Sequence, residues 1–512
     1  MKKKWLTMSL AFLVTASMIA GCSSGKSANS GSGKADNVQN VQDDMKEHMT
    51  INMMIKSYEG GGWPENHPVI DYLDKKFNID LKIQWIPSDS YEEKLNVLVA
   101  SGNFPDTFWL QKEDFLKWRD KGLYLDVKPF LSKYPNLLKN LGGDEAFQLM
   151  SPKGKYYGLP YYVVETRNSL GIRQDWLDKL QLKMPATIDD FYNVAKAFAK
   201  QDPDGDGKDD TLGFSASLTP DKTDFAHIDP LKATFGLVNQ WGVKDGKLIN
   251  WHTQNQELKD FASFMQKAYA EGVLDRDFAV NKTKDPQDKY AADKVGTTDV
   301  NPAGFDRYES TLKKIAPQAV TSQLLPPKGP NGAQGTTTFA AGESKIVINA
   351  KIDPKKQDRI LKLMDYFVSD EGDALIKNGI EGLDYKKDGD QYTKLDAFDK
   401  DRPQILSSWF LRRFDLNFSG NLWDDPKEIS KVTQWYKNNE PFKWPNASIG
   451  LTSDTDNKVG TTINQKFMSA LVKIIMGEAP TDTIDQAVEQ WKKDGGDKIT
   501  QEYNDAYQQL QK

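Results

Sequence analysis

The amino-acid sequence predicts an α/β protein built on parallel sheets, with a last part made of helices. Three observations carry that reading. Runs with strand periodicity alternate with helical stripes along most of the chain, the order expected of parallel strands joined by crossover helices. Hydrophobic residues make up 38% of the 512 and include 13 Trp, 19 Tyr and 24 Phe, enough aromatic mass to fill sizeable cores. The length suggests roughly two to four domains, or one large two-part unit.

The first element is not part of the fold. Lys2, Lys3 and Lys4 precede an uncharged run from Trp5 to Ala20, and Gly21-Cys22 follow. A basic start, a short apolar run and small residues before a processing point describe a secretory signal peptide over residues 1–21. The run falls short of the about 20 apolar residues that a membrane span needs. Ile19-Ala20-Gly21-Cys22 resembles the lipobox of bacterial lipoproteins, in which the Cys is diacylated and becomes the new N-terminus. Cys22 is the single Cys of the chain. Residues 22–44 then read as the lipidated Cys and a flexible tether, since Ser23 to Asn37 is mostly Ser, Gly, Lys, Ala and Asn without apolar periodicity.

The folded elements begin after the tether. Ile51 to Ile55 is a compact apolar run. Val69, Leu73 and Phe77 keep a helical spacing, and Ile79, Leu81, Ile83 and Trp85 alternate with polar residues as in a half-buried strand. Ser90 with Glu93 forms a capping-box pattern ahead of Tyr91, Leu95 and Leu98, and Gly102 stops that helix. Thr187 with Asp190 repeats the device before Phe191, Val194, Ala195 and Phe198. Asp353-Pro354 opens a helix whose buried stripe is Ile360, Leu363, Met364 and Phe367. From about Thr461 onward the pattern is helical, through Ile463, Phe467, Leu471 and Ile474, then Ile484, Val488 and Trp491.

Charge and rare residues exclude several classes. Lys and Arg number 67 against 73 Asp and Glu, a net charge of −6, so the clustered positive excess of a nucleic-acid binder is missing. Four His and one Cys cannot build a Cys/His zinc module or an internal disulfide framework. The sequence holds no HExxH and no Walker loop, and no GxSxG nucleophile elbow outside the signal peptide and tether, where Gly21 to Gly25 match the pattern by chance.

Several segments in order resemble the family 1 extracellular solute-binding proteins of carbohydrate ABC importers. Ser101-Gly102-Asn103-Phe104-Pro105-Asp106 before Thr107-Phe108-Trp109 is similar to a turn entering a strand. Gly154 to Pro160 (GKYYGLP) is similar to the segment before a crossing into a second lobe. Ile172 to Leu177 (IRQDWL) with Pro185-Ala186-Thr187, Leu325 to Pro330 (LPPKGP) and Asp365 to Gly372 (DYFVSDEG) complete the series. The match is best with the large, lipid-anchored subgroup that includes alginate-oligosaccharide binders. The resemblance implies a type II, maltose-binding-like fold of two α/β lobes, with lobe one from residues 45–165 and 294–344 and lobe two from 166–293 and 345–512. It also implies an oligosaccharide held in the cleft between lobes, delivery to permease subunits, attachment to the outer face of the cell membrane through the lipid, and a monomer.

Two constellations carry chemistry. Asp202, Asp204, Asp206 and Asp210 take positions 1, 3, 5 and 9 of an EF-hand-type loop, with Gly207 at position 6 and the Lys208 carbonyl at position 7. Gly213 stands where that loop has its bidentate Glu. Alginate binders carry a Glu just after the ninth position, here Thr211. Four close carboxylates repel one another without a cation, so the loop is expected to hold a structural Ca²⁺, with water or Thr211 completing its oxygens. The second constellation is aromatic. Sugar rings present flat C–H faces that suit aromatic rings. Trp85, Trp118, Trp176 and Trp491 sit in apolar periodic patterns and read as packing residues. Tyr58, Trp63, Trp109, Tyr161, Tyr162, Trp241, Trp409 and Trp423 lie in loops or at strand ends and are the cleft candidates, with Glu59, Asp306, Arg412 and Arg413 as polar partners. A secreted polysaccharide-acting enzyme and a peptide-binding lipoprotein on the same plan are the alternatives; a cleft lined with aliphatic side chains would favour the latter.

Overall fold

The computed structural model describes residues 42–57, 62–87, 90–161, 164–400, 411–416 and 420–511. The signal peptide, Cys22, most of the tether, Tyr58, Glu59, Tyr162 and Trp409 lie outside the described residues, as does the side chain of Asp306.

Two sheets organise the chain. The first has the strand order Ile79–Pro87, Met49–Ser57, Thr107–Leu110, Lys345–Ile348, Leu159–Pro160. Its first three strands run parallel, and Lys345–Ile348 lies antiparallel to both of its neighbours. The helix Pro68–Phe77 makes the crossover from Met49–Ser57 to Ile79–Pro87, buries Val69, Leu73 and Phe77, and ends on Asn78 in the left-handed conformation. The second sheet has the order Thr321–Leu324, Ser169–Arg173, Val295–Val300, Leu212–Phe214. Here only the last pair is parallel. The expectation of parallel sheets thus holds for two of the four pairings in the first sheet and one of the three in the second. A chain that crosses between sheets delivers its next strand in reverse, and periodicity carries no strand direction.

Each sheet has its own core. Ile51, Leu73, Leu81, Phe115, Trp118, Ile346 and Met364 belong to the first, and Ile172, Trp176, Phe198, Phe261, Phe467 and Trp491 to the second. The helices Thr461–Ile475, Thr483–Trp491 and Asp497–Leu510 pack on the second core through Ile463, Phe467, Leu471, Ile484, Val488, Trp491 and Ile499, so the helical C-terminal part is as expected.

The lobe boundaries need correction. Val295–Val300 and Thr321–Leu324 pair with Ser169–Arg173, so most of residues 294–344 lie in lobe two and not in lobe one. Lys345–Ile348 pairs with Thr107–Leu110, and Ile360, Leu363, Met364 and Phe367 of the helix Pro354–Phe367 fill the first core, so residues from 345 return to lobe one. They stay there through the helix Asp370–Asn378 and Trp423, which packs on Phe398. The helix Pro426–Asn439 then joins lobe two, where Trp435 Nε1 donates to Ser169 Oγ at 2.5 Å. Short strands such as Val295–Val300 and Lys345–Ile348 carry no local mark of the sheet they join. Only long-range pairing assigns them.

Side-chain caps form at Thr187 and Asp353 but not at Ser90. Thr187 and Asp190 form the full capping box, and Asp353 accepts from Lys355 N. Ser90 makes no cap; its hydroxyl turns back to Pro87 O at 3.3 Å. Arg359, fully buried, pairs with Asp43 and donates to the Phe77 and Asn78 carbonyls, which pins the start of the folded chain to the helix Pro354–Phe367.

Candidate functional site

The segments that cross between the sheets run side by side. Tyr161 N donates to Ser344 O at 2.8 Å, and Phe339 N donates to Glu165 O at 2.9 Å. Side chains from both lobes meet around this seam, where a two-lobed binding cleft is built.

On the side of lobe one, Trp109 is the last but one residue of the strand Thr107–Leu110. Tyr91 meets its ring edge-on at 5.8 Å and Tyr161 at 6.5 Å, and the Lys56 ammonium lies 4.8 Å above it. Only 6% of Trp109 is exposed, so most of the ring is packing and its rim alone is available. Lys112 and Glu113 begin the next helix, and their charges act on Asp456 of lobe two. Asp456 accepts from Tyr503 Oη at 2.8 Å, and Tyr503 lies against Trp241 at 4.6 Å.

On the side of lobe two stands a polar group that sequence reasoning missed. Asn168 Nδ2 donates to Asp299 Oδ2 at 3.3 Å, and His227 Nδ1 lies 3.8 Å from the same oxygen. Thr337 Oγ1 donates to Asp229 Oδ2 at 2.7 Å. Arg167 stacks its guanidinium on Phe339 at 4.2 Å. Burial pushes the Asp299 carboxyl up to about 7; the charge of Asp229 adds to the rise and that of Arg167 opposes it. Burial also holds the His227 imidazole below its usual range. Glu343, raised by burial, feels both Lys112 of lobe one and Arg167 of lobe two. One signal was present in the sequence: Arg167 and Asn168 are polar residues just past the GKYYGLP segment, where the chain leaves lobe one. The partners Asp299 and Phe339 are more than 100 residues away and have no local signature.

The other aromatic candidates are spoken for. Trp63 is buried, stacks on His67 at 4.5 Å and meets Trp85 edge-on at 6.0 Å. A Cβ on Gly62 would fall 1.7 Å from the Trp85 ring, so only glycine fits there. Trp241 is 5% exposed and belongs to the second core, so its reading as an open sugar platform is corrected to packing against Tyr503. Trp423 rests on Phe398 and Tyr385. Arg412 is buried, and Arg413 pairs with Asp370 and Asp373.

The acidic loop has the geometry of a cation cradle. Oxygens of Asp202, Asp204 and Asp206 all lie within 4.8 Å of one another. Asp202 accepts from Gly205 N and Gly207 N at 3.0 and 3.1 Å, and both glycines take the left-handed backbone that the tight bend requires. Asp204 Oδ1 is buried with no hydrogen-bond partner among the described residues. Burial and the neighbouring Asp202 raise the Asp204 carboxyl. Lys294 Nζ reaches Asp210 at 2.8, Asp204 at 3.6 and Asp206 at 3.8 Å. Thr211, expected as the alternative to water, is buried, and its hydroxyl donates to Phe198 O at 2.8 Å.

Two sheets, two cores and paired crossings define a two-domain solute-binding fold. The chain belongs to the bacterial extracellular solute-binding proteins, whose family model matches residues 66–374. It is 28% identical to Lipoprotein LipO of Bacillus subtilis over 99% of both chains. It is 26% identical to the polygalacturonan/rhamnogalacturonan-binding protein YtcQ of the same organism, over 99% of this chain and all of that one. Among solved structures, an HMO-binding solute-binding protein of Bifidobacterium longum infantis superposes with a TM-score of 0.72 at 18% identity, covering 90% of this chain and 98% of the other. FusA of Streptococcus pneumoniae, as an EF-hand mutant with fructo-nystose, gives 0.69 at 19% over 90% and 99%. The alginate-binding protein AlgQ2 without calcium gives 0.67 at 19% over 90% and 98%. These likenesses show the shared fold.

Proposed function

We propose that this protein is the lipid-anchored receptor of an ABC importer, which captures an oligosaccharide between its lobes and delivers it, as a monomer, to the permease subunits. The observation that carries the reading is the family match, which runs through both sheets and both crossings near 161–164 and 339–344. The seam suits a sugar: aromatic edges at Trp109 and Tyr161 for ring faces, and Arg167, Asn168, His227 and Asp299 for hydroxyls. Diacylation of Cys22 would hold the protein at the outer face of the membrane. No helix among the described residues is long and apolar enough to cross it.

A thermal-shift screen of neutral and acidic oligosaccharides on the mature chain tests the reading. A sugar at 100 times its Kd should stabilise by about 2.7 kcal/mol. Stabilisation by peptides alone would move the protein to the peptide-binding class. Cleaved products seen by chromatography would make it a polysaccharide-acting enzyme.

The second part of the proposal is a structural Ca²⁺ in the loop from Asp202 to Asp210. The orphaned, buried Asp204 Oδ1 supports it, because a buried carboxylate oxygen without a donor calls for a cation. Asp202, Asp204, Asp206, the Lys208 carbonyl and Asp210 would hold the ion, with water in place of Thr211. It would fix the connection between the helix Ile188–Lys200 and the strand Leu212–Phe214.

A further inference from the structure

We propose that His227 and Asp299 hold one proton between them and form a pH-sensitive switch in lobe two, beside the seam. The inference goes beyond the oligosaccharide reading and does not depend on what the seam binds.

The hydrogen-bond partners fix the tautomer of the ring. His227 Nε2 lies 2.6 Å from Thr283 O. A backbone carbonyl only accepts, so Nε2 carries the hydrogen. In the neutral ring Nδ1 then presents a bare lone pair. That atom is buried, has no hydrogen-bond partner among the described residues, and lies 3.8 Å from Asp299 Oδ2. Two acceptors that face each other in an enclosed place repel unless a proton lies between them. Either Oδ2–H points at Nδ1, or Nδ1–H⁺ points at the carboxylate. Both arrangements contain one proton and carry no net charge. Burial lifts the Asp299 carboxyl to about 7 and depresses the imidazole, which favours the proton on the oxygen.

The surroundings retain that proton. Asp229, at the start of the helix Asp229–Thr234, acts on both groups and disfavours a further negative charge beside its own. Arg167, from the crossing, acts on Asp299 in the opposite sense. Lys232 of the same helix is held by Asp224 at 2.6 Å, and the turn before the helix Asp285–Ala291 contributes the Thr283 carbonyl. Asn168 donates to Asp299 Oδ2 whether or not the pair keeps its proton. Loss of the proton leaves a carboxylate facing the lone pair, with Asp229 close by. It also releases His227, a residue with a side chain held in the left-handed conformation at φ 72°. The proton therefore ties the bend after the strand Phe225–Ala226 to the strand Val295–Val300.

Two measurements on the mature chain test this. In the unfolded chain Asp and His titrate at about 3.9 and about 6.5, so between about pH 4.5 and 6.5 the unfolded pair also holds one proton. In that window the pair adds little pH dependence to the stability of the wild type. Asp299→Asn sets a buried neutral His against an unfolded His⁺. Its folding constant relative to the wild type should rise with pH across the window, by up to about tenfold per pH unit. His227→Gln sets a buried protonated carboxyl against an unfolded carboxylate, so its relative stability should fall across the same window. Either variant running parallel to the wild type in urea unfolding overturns the proposal. The second measurement uses ¹⁵N-histidine spectra, with His227 assigned by its absence from His227→Gln. Nε2 should keep its hydrogen from about pH 5 to about pH 9, and the ring signals should move in a step near neutral pH. In Asp299→Asn that step should drop below about pH 6. A neutral ring protonated at Nδ1, or a step unmoved in Asp299→Asn, overturns the proposal as well.

Discussion

The ring of Trp109, beside the seam, is almost wholly enclosed. Its place at the end of the strand Thr107–Leu110, beside the seam, agrees with a reading from loop and strand-end position. Its burial does not agree with a free-standing sugar platform, because Tyr91, Tyr161 and Lys56 enclose the ring. Trp109→Ala should therefore cost about 3–5 kcal/mol of stability in the unliganded protein, measured by urea unfolding. A loss below about 1 kcal/mol would return the ring to the cleft surface. Lys345 gives a test by pH. It is fully buried, donates to the Ala146 and Phe147 carbonyls, and burial lowers its ammonium to about 7. Because the folded state holds its proton less tightly than the unfolded chain, Lys345 makes stability rise as pH increases from about 7 toward about 10.4, the ordinary lysine value. Below that window both states are charged and the burial penalty is fully present. Lys345→Met should be more stable than the wild type near pH 6, and the difference should shrink as pH rises. A constant difference between the two proteins across that range would contradict the assignment.

At the scale of elements, what was legible in the sequence was local. The box at Thr187 and Asp190 and the stripes of the C-terminal helices depend on residues three or four apart, and both appear as expected. Ser90 failed because its backbone, at φ −112° and ψ 2°, turns the hydroxyl toward Pro87 rather than the helix. The sheet membership of Val295–Val300 and Lys345–Ile348 failed because it depends on partners far along the chain. The same division runs through the acidic loop. Its carboxylate spacing was visible, and the contribution of Lys294, 84 residues beyond Asp210, was not. That ammonium offsets the carboxylate repulsion in the absence of metal. Removing it in Lys294→Met should lower the melting temperature in EDTA and enlarge the stabilisation by millimolar calcium. Asp206→Ala should abolish the calcium response. Equal melting of the wild type in EDTA and in calcium, with no metal by elemental analysis, would reduce the loop to an acidic turn.

For the molecule as a whole, the seam between the lobes joins fold to function. On the proposed reading, the separate cores would let each lobe move as a body, with the paired crossings at Tyr161–Ser344 and Glu165–Phe339 as the hinge. The anchor belongs to this scale as well: Cys22→Ser should abolish partitioning into detergent, and a cleaved Ser variant that stays on the membrane would contradict the lipobox. The central claim is capture between the lobes. Its most direct test is small-angle scattering of the mature chain, alone and saturated with the oligosaccharide that stabilises it best in the thermal screen. Closure of the lobes around the sugar predicts a smaller radius of gyration and a shorter maximum dimension in the complex. A saturated complex with the scattering curve of the free protein would contradict capture by closure.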